Sequence, residues 1–348
     1  MPSGRLLEPR FSLRGHSHPV SSVASRSFWN EEDQERDRCV VSADADGNIR
    51  VWQLSTRALV NEFRVVSDPQ GVLDMHFRVD GSLLMHTRGG GLLLVDPMAA
   101  ERNAVIEAEV LFPHTGFCRS LLLTDSTIVA PTEKGFVVLS LPDFTELASF
   151  DSEKGGTPMS LAVAHSADSF VVVLGQENGD IRVFRIKLTD QNSQVEERKS
   201  QNAVDIEVIE LSTRSVGTEP ILSVEIKCID DKLHVFAASA SRDLRALVFH
   251  MDSQVWNERQ KRELPAMGVN RVLFLRNNDR DDNRVPARIL VLSWSGDVLV
   301  LSSRSLKTRA ISKQDQGVQD MAQDGDTLVA GGKNTLVSVW PVSDLLAV

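Results

Sequence analysis

Seven times along the chain a tight-turn signal leads into a short strand of alternating apolar residues. The clearest copy is DGNIRVW at 46–52, where Asp-Gly marks the turn and period two marks a strand with one buried face. Weaker copies are GGGLLLVDP (89–97), EKGFVVLSLP (133–142), ENGDIRVFRI (177–186), SRDLRALVFH (241–250), SWSGDVLVLS (293–302) and GKNTLVSVW (332–340). These strands start near Ile49, Leu92, Phe136, Ile181, Leu244, Val298 and Leu336. Most intervals lie near the roughly 40–45 residues of a four-stranded propeller blade. The two long intervals, before Leu244 and Val298, coincide with polar insertions.

Each copy is preceded by an apolar run, such as SLLMHT, TIVAPT, SFVVVLG, LHVFAAS or RILVLSW, and before that by another, such as GVLDMHF, FCRSLLL, MSLAVAH, ILSVEIK or NRVLFL. Helical periodicity is nearly absent. The unit therefore has three clear strands and a more variable outer one. The last copy supplies only three strands, and FSLRG at 11–15 precedes the first complete set without a partner there. If FSLRG is the outer strand of the seventh unit, the two ends seal a ring and no sheet edge is left exposed. The pattern predicts an all-β fold: a seven-bladed WD40-type β-propeller closed by N- and C-terminal strands, with residues 1–348 forming one domain.

Composition narrows the function classes. Apolar residues make up 42% of the chain, enough for such a core, and the formal net charge is −10. An acidic chain without clustered Lys and Arg lacks the footprint of direct nucleic-acid binding. No apolar run approaches the length of a membrane span and the N-terminus lacks a signal-type apolar core, so no membrane association is expected. Cys39, Cys118 and Cys228 are isolated, as small buried hydrophobes in a reducing, intracellular compartment would be.

His16, Ser42, Asp46 and Trp52 have the types and spacing to form the hydrogen-bonded set of a WD repeat: loop His, strand Ser, turn Asp and strand Trp. The other units keep fragments of it. His, Ser and Asp are also the residue types of a hydrolytic triad, but holding a turn in shape is the expected role, and no catalytic residue is assigned. Gly89-Gly90-Gly91 lacks the helix, Lys and Ser/Thr of a phosphate loop and reads as a hairpin turn. His114 and Cys118 have Pro113 and Gly116 around them, which argues against a helical metal face. No metal and no cofactor is expected.

Four polar stretches, about 30–38, 189–202, 252–262 and 277–286, read as solvated loop insertions. In a propeller the a–b and c–d connections emerge on one face and the b–c and d–a connections on the other. The first and fourth stretches fall between strands a and b, the second and third between c and d, so all four decorate one face. The opposite face keeps short connections and is the expected docking surface. There HTGFCRSLLL (114–123) and GGTPMSLAV (155–163) begin the innermost strands of blades 3 and 4. They would gather Phe117, Arg119, Pro158 and Met159 at the channel mouth, residue types that include those favoured at interface hot spots.

FSLRGHSHPVSSV near the start, GFCRSLLL and GTPMSLAV in the middle and LVAGGKNTLVSVWPV at the end occur in an order that resembles the ASTRA-associated protein 1 family, known in animals as guanine nucleotide-binding protein beta subunit-like protein 1. The resemblance spans nearly the whole chain and implies a non-enzymatic scaffold subunit. Its partners would be protein subunits of an ASTRA-like chromatin-associated complex, or of the co-chaperone machinery that matures phosphatidylinositol 3-kinase-related kinases. It also implies one propeller within a hetero-complex, in nucleus and cytoplasm.

Two other roles compete. A G-protein β-like signalling scaffold would carry an N-terminal heptad helix, and only ten irregular residues precede Phe11. A ubiquitin-ligase substrate receptor usually shows Trp-Asp-x-Arg after strand c, whereas Trp52 is followed by Gln53-Leu54-Ser55. A propeller enzyme would need ionisable residues converging on the channel, and the sequence alone displays no such constellation.

Overall fold

The computed structural model of the chain describes residues 5–30, 35–67, 70–110, 118–151, 155–166, 168–190, 204–276, 285–313 and 317–348. Phe117 and His114 lie outside these residues. The strands group into seven antiparallel four-stranded sheets, two of them extended by a fifth, parallel strand. All seven expected turn-led strands are the third strands (c) of their sheets: Asn48–Gln53, Gly91–Val95, Gly135–Ser140, Asp180–Asp190, Asp243–His250, Asp297–Ser302 and Leu336–Pro341. The innermost strands (a) are Val20–Asn30, Val72–Phe77, Leu121–Thr124, Pro158–Ser166, Ile221–Ile229, Val269–Leu275 and Val318–Asp324. The architecture is the seven-bladed propeller that the repeat pattern predicts.

The first turn explains why the pattern is strongest there. Gly47 adopts φ +78°, and a Cβ on it would fall 2.1 Å from the Val65 carbonyl oxygen, so only glycine fits between strands b and c. The ring closes as expected. Phe11–Arg14 lies antiparallel against Leu336–Pro341, with Phe11 opposite Val339 and Arg14 opposite Leu336. The N-terminal segment goes further than the sequence suggests, because Arg5–Leu6 adds a parallel fifth strand to blade 6 beside Thr308–Lys313. A similar exchange joins blades 1 and 2: Val105–Glu107 pairs in parallel with Ala58–Val66 of blade 1, and blade 2 keeps only Glu109–Val110 as its outer strand.

Apolar side chains pack between neighbouring sheets. Blades 3 and 4, for example, meet through Phe136, Phe150 and Phe184, whose ring centroids lie 4.6–5.8 Å apart. A short helix, Val342–Leu346, follows the last strand and buries Val342 and Leu345 against blades 6 and 7.

Two of the polar stretches are corrected. Residues 255–262 are not loop: Val255–Glu263 is the outer strand of blade 5, paired from His250↔Val255 to Asp243↔Glu263. Strand d faces solvent along most of its length, so it can be as polar as a loop, and charges there also protect a sheet edge. Most of stretch 30–38 likewise belongs to a long hairpin of Val20–Asn30 and Glu35–Asp44. Residues 31–34 of that stretch, and residues 191–202 and 277–284 of the other two, lie outside the described residues.

Candidate functional site

In blade 1 the expected hydrogen-bonded set forms, with one substitution of partner. His16 Nε2 lies 2.7 Å from Ser42 Oγ, and the Trp52 indole donates to the same oxygen at 2.8 Å. The carboxylate on His16 Nδ1, at 3.1 Å, is that of Asp44 and not Asp46. Asp44 ends strand b, two residues after Ser42, so both side chains leave the same face of the strand. Asp46 stands in the turn, half-exposed and 3.5 Å from His18. Asp44 also accepts the backbone N–H groups of Asp46 and Asn48, each at 3.0 Å. Burial pushes its carboxyl up, but hydrogen bonds from His16 and Asn48 outweigh this and lower its pKa. The geometry resembles a hydrolytic triad, yet Ser42 is fully buried and its oxygen is already engaged by Trp52. The set is a structural clamp. Gly89-Gly90-Gly91 forms the expected hairpin turn, with the Gly91 N–H donating to Thr87 Oγ1 at 3.0 Å.

The channel is built by a repeated irregularity. In six blades the pairing of strands a and b shifts register after the first residue, next to Ser22, Asp74, Ser160, Ser223, Arg271 and Asp320. An innermost strand has no neighbour on its channel side, so its backbone groups need side-chain partners. These positions supply several of them across to the next blade. Ser160 donates to the Ile221 carbonyl at 2.7 Å, Ser223 Oγ accepts the Val272 N–H at 2.8 Å, and Asp320 Oδ2 accepts the Val23 N–H at 2.9 Å.

Charges gather on this frame. Arg119 of the connection entering blade 3 and Arg271 of blade 6 both donate to Asp320 Oδ1 of blade 7. Arg119 also stands 3.7 Å from Asp74 Oδ1, whose other oxygen is 2.8 Å from His76 Nε2. Burial would raise the Asp74 carboxyl, but the charges of His76 and Arg119 hold it well below the usual carboxylate range. Burial would lower His76, and the adjacent Asp74 instead raises it. Glu225 is raised by burial, which nearby Arg276 only partly offsets. The ionisable constellation that the sequence did not display is thus present, assembled from five blades.

Of the expected docking residues, Arg119 and Met159 line this channel, and Phe117 lies outside the described residues. Pro158 is buried, Met159 lines the cavity, and Arg119 finds its acceptors inside the propeller. The cavity has a volume of about 600 Å³. Among its lining residues the sequence reading overlooked Trp294, 49% exposed on the b–c turn of blade 6; Met267, 64% exposed, lies on the preceding d–a connection. The signal available was a Trp inside the turn SWSGD, where a polar residue would serve.

The family described as WD domain, G-beta repeat matches residues 7–53, which hold the His16–Ser42–Trp52 set. No curated protein matches the sequence. Among solved structures, the crystal structure of the computationally designed Ika8 protein matches with a TM-score of 0.55 at 14% identity, covering 96% of this chain and 100% of that one. That likeness is one of fold alone. The chain is a seven-bladed β-propeller whose first repeat, residues 7–53, is similar to the WD domain, G-beta repeat.

Proposed function

We propose that this propeller is a scaffold subunit that holds partner proteins on the face of short b–c and d–a connections. The observation that carries the reading is the half-exposed Trp294 in the cavity lining, its ring against Gly268, which follows the exposed Met267 in sequence. Trp and Met are enriched in interface cores, and a Trp left half in water on an ordered turn is a natural anchor. The complex is assigned from the sequence resemblance: an ASTRA-like chromatin-associated assembly, the co-chaperone machinery of phosphatidylinositol 3-kinase-related kinases, or both, with the protein in nucleus and cytoplasm.

Affinity purification from the native organism, read by mass spectrometry, tests this. Recovery of kinase-maturation or ASTRA subunits with the wild type, reduced for Trp294→Ala, is the expected result. Recovery of a small γ-like protein, or of cullin-type ligase subunits, would replace the assignment with one of the competing roles.

A further inference from the structure

The channel mouth is positively charged in a protein of formal net charge −10. Arg88, Arg119, Arg271, Arg276 and Lys333 line the cavity, against one carboxylate, Glu225. The other two acids, Asp74 and Asp320, are buried behind the wall and engaged by His76, Arg119 and Arg271. Among the described residues, no carboxylate stands within ion-pair distance of Arg88 or Lys333, and Arg88 Nε is buried without an acceptor. Both residues sit on b–c turns, of blades 2 and 7, on the same face as Trp294.

Trp294 is held in place on the wall of the same cavity, near Lys333: a Cβ on Gly317 would fall 2.9 Å from the Trp294 carbonyl oxygen and 3.8 Å from Lys333 Cδ. Its ring lies against Gly268, where a Cβ would fall 2.1 Å from Cδ2, and its backbone N–H donates to the Gly268 carbonyl at 3.1 Å. A fixed aromatic surface near Lys333, with Arg88 in the same cavity and neither cation facing a carboxylate among the described residues, is a recognition pattern for one chemistry. An apolar side chain covers the ring while carboxylates enter the mouth.

We propose that the channel mouth binds an acidic segment of a partner protein, its carboxylates meeting Lys333 and Arg88 and an apolar residue covering Trp294. This rests on the scaffold reading above and adds the chemistry of the partner. A nucleic acid fits less well, since it needs an extended cationic surface, whereas these cations converge in a concave site on an acidic molecule.

The probe is a fluorescently labelled peptide of Glu and Asp around a central Leu, followed by anisotropy against the full chain. Controls are the same peptide with Gln and Asn in place of the acids and a single-stranded oligonucleotide of equal charge. The acidic peptide is expected to bind saturably and to weaken as salt is raised. Lys333→Glu and Trp294→Ala, both at exposed positions, should each weaken it at least about tenfold with unchanged melting, the scale of an interface hot spot. Arg88→Gln provides a second charge variant. Equal binding of the uncharged peptide, tighter binding of the oligonucleotide, or unaltered affinity in Lys333→Glu would each overturn the proposal. Partner subunits captured equally by wild type and Lys333→Glu would overturn it while leaving the scaffold reading in place. Failure of the wild type to capture any subunit would instead remove the scaffold reading.

Discussion

Arg119 and Asp320 are 201 residues apart in sequence and joined by a charged hydrogen bond across the channel, from blade 3 to blade 7. Asp320 is fully buried and also serves Arg271 and the Val23 N–H, so one carboxylate ties together four blades. Such a group is costly to remove, because its partners stay buried without compensation.

Asp320→Ala is therefore expected to destabilise the fold by about 3–5 kcal/mol, the usual cost of stripping one partner from a buried charge pair. Arg119→Glu, which sets a carboxylate against Asp74 and Asp320, should lose at least as much. Urea unfolding midpoints measure both. Wild-type stability in Arg119→Glu would show that the pairing across the channel contributes nothing.

The Asp74–His76 pair predicts a pH dependence. His76 titrates above its ordinary value in the folded protein, so its contribution is complete below about pH 6.5 and fades as pH rises through the raised value. Asp74 titrates below its ordinary value, so its contribution is complete above about pH 4 and fades only on strong acidification. The stability advantage of wild type over His76→Gln should thus be largest between about pH 4 and 6.5 and narrow towards pH 9. Chemical denaturation of both proteins across that range checks it; a gap independent of pH contradicts the pairing.

Blades 1 and 7 offer a matched pair of experiments on one clamp. Ser42→Ala leaves Trp52 Nε1 and His16 Nε2 without their shared partner and should cost about 1–3 kcal/mol. In blade 7 the residue at the corresponding register is Ala330, and the buried Trp340 Nε1 has no acceptor among the described residues. Ala330→Ser should supply one and stabilise the protein by about 1 kcal/mol. Thermal melts decide both, and a loss of stability in Ala330→Ser would mean that blade 7 has no room for the hydroxyl.

Deleting residues 1–14 removes Arg5–Leu6 from the edge of blade 6 and Phe11–Arg14 from blade 7. Two sheet edges open at the seam of the ring, so aggregation or a large fall in melting temperature is expected. A truncated protein that melts like the full chain would refute closure through this segment.

Replacing residues 191–203 by a short Gly-Ser turn should leave the fold intact. Asp190 and Val204 are paired in register, so a short connection bridges them, and shortening a loop changes its closure entropy little. Circular dichroism and a melting curve suffice, and an insoluble product would show that these residues are structural.

The number of blades, the identity of strands a, b and c, and closure by residues 11–14 were legible in the sequence, because each depends on neighbours along one strand or on a repeat count. The clamp of His16, Ser42 and Trp52 was legible for the same reason, since Ser42 and Trp52 lie on adjacent strands joined by a tight turn. Asp46 was expected where Asp44 stands, because only the observed end of strand b decides which acid shares the face of Ser42. The strand Val255–Glu263 was hidden because an outer strand, wet along most of its length, carries no alternation. The channel network was out of reach for a deeper reason. Local pattern says which residues are strand, but closure of the ring brings Asp74, Arg119, Arg271 and Asp320 together from distant repeats, and the register shift at the start of the inner strands falls beside Asp74, Arg271 and Asp320. Ring geometry, a property of the folded whole, turned Arg119 from an expected surface anchor into a charge held inside the propeller and left Trp294 half-exposed in the cavity lining.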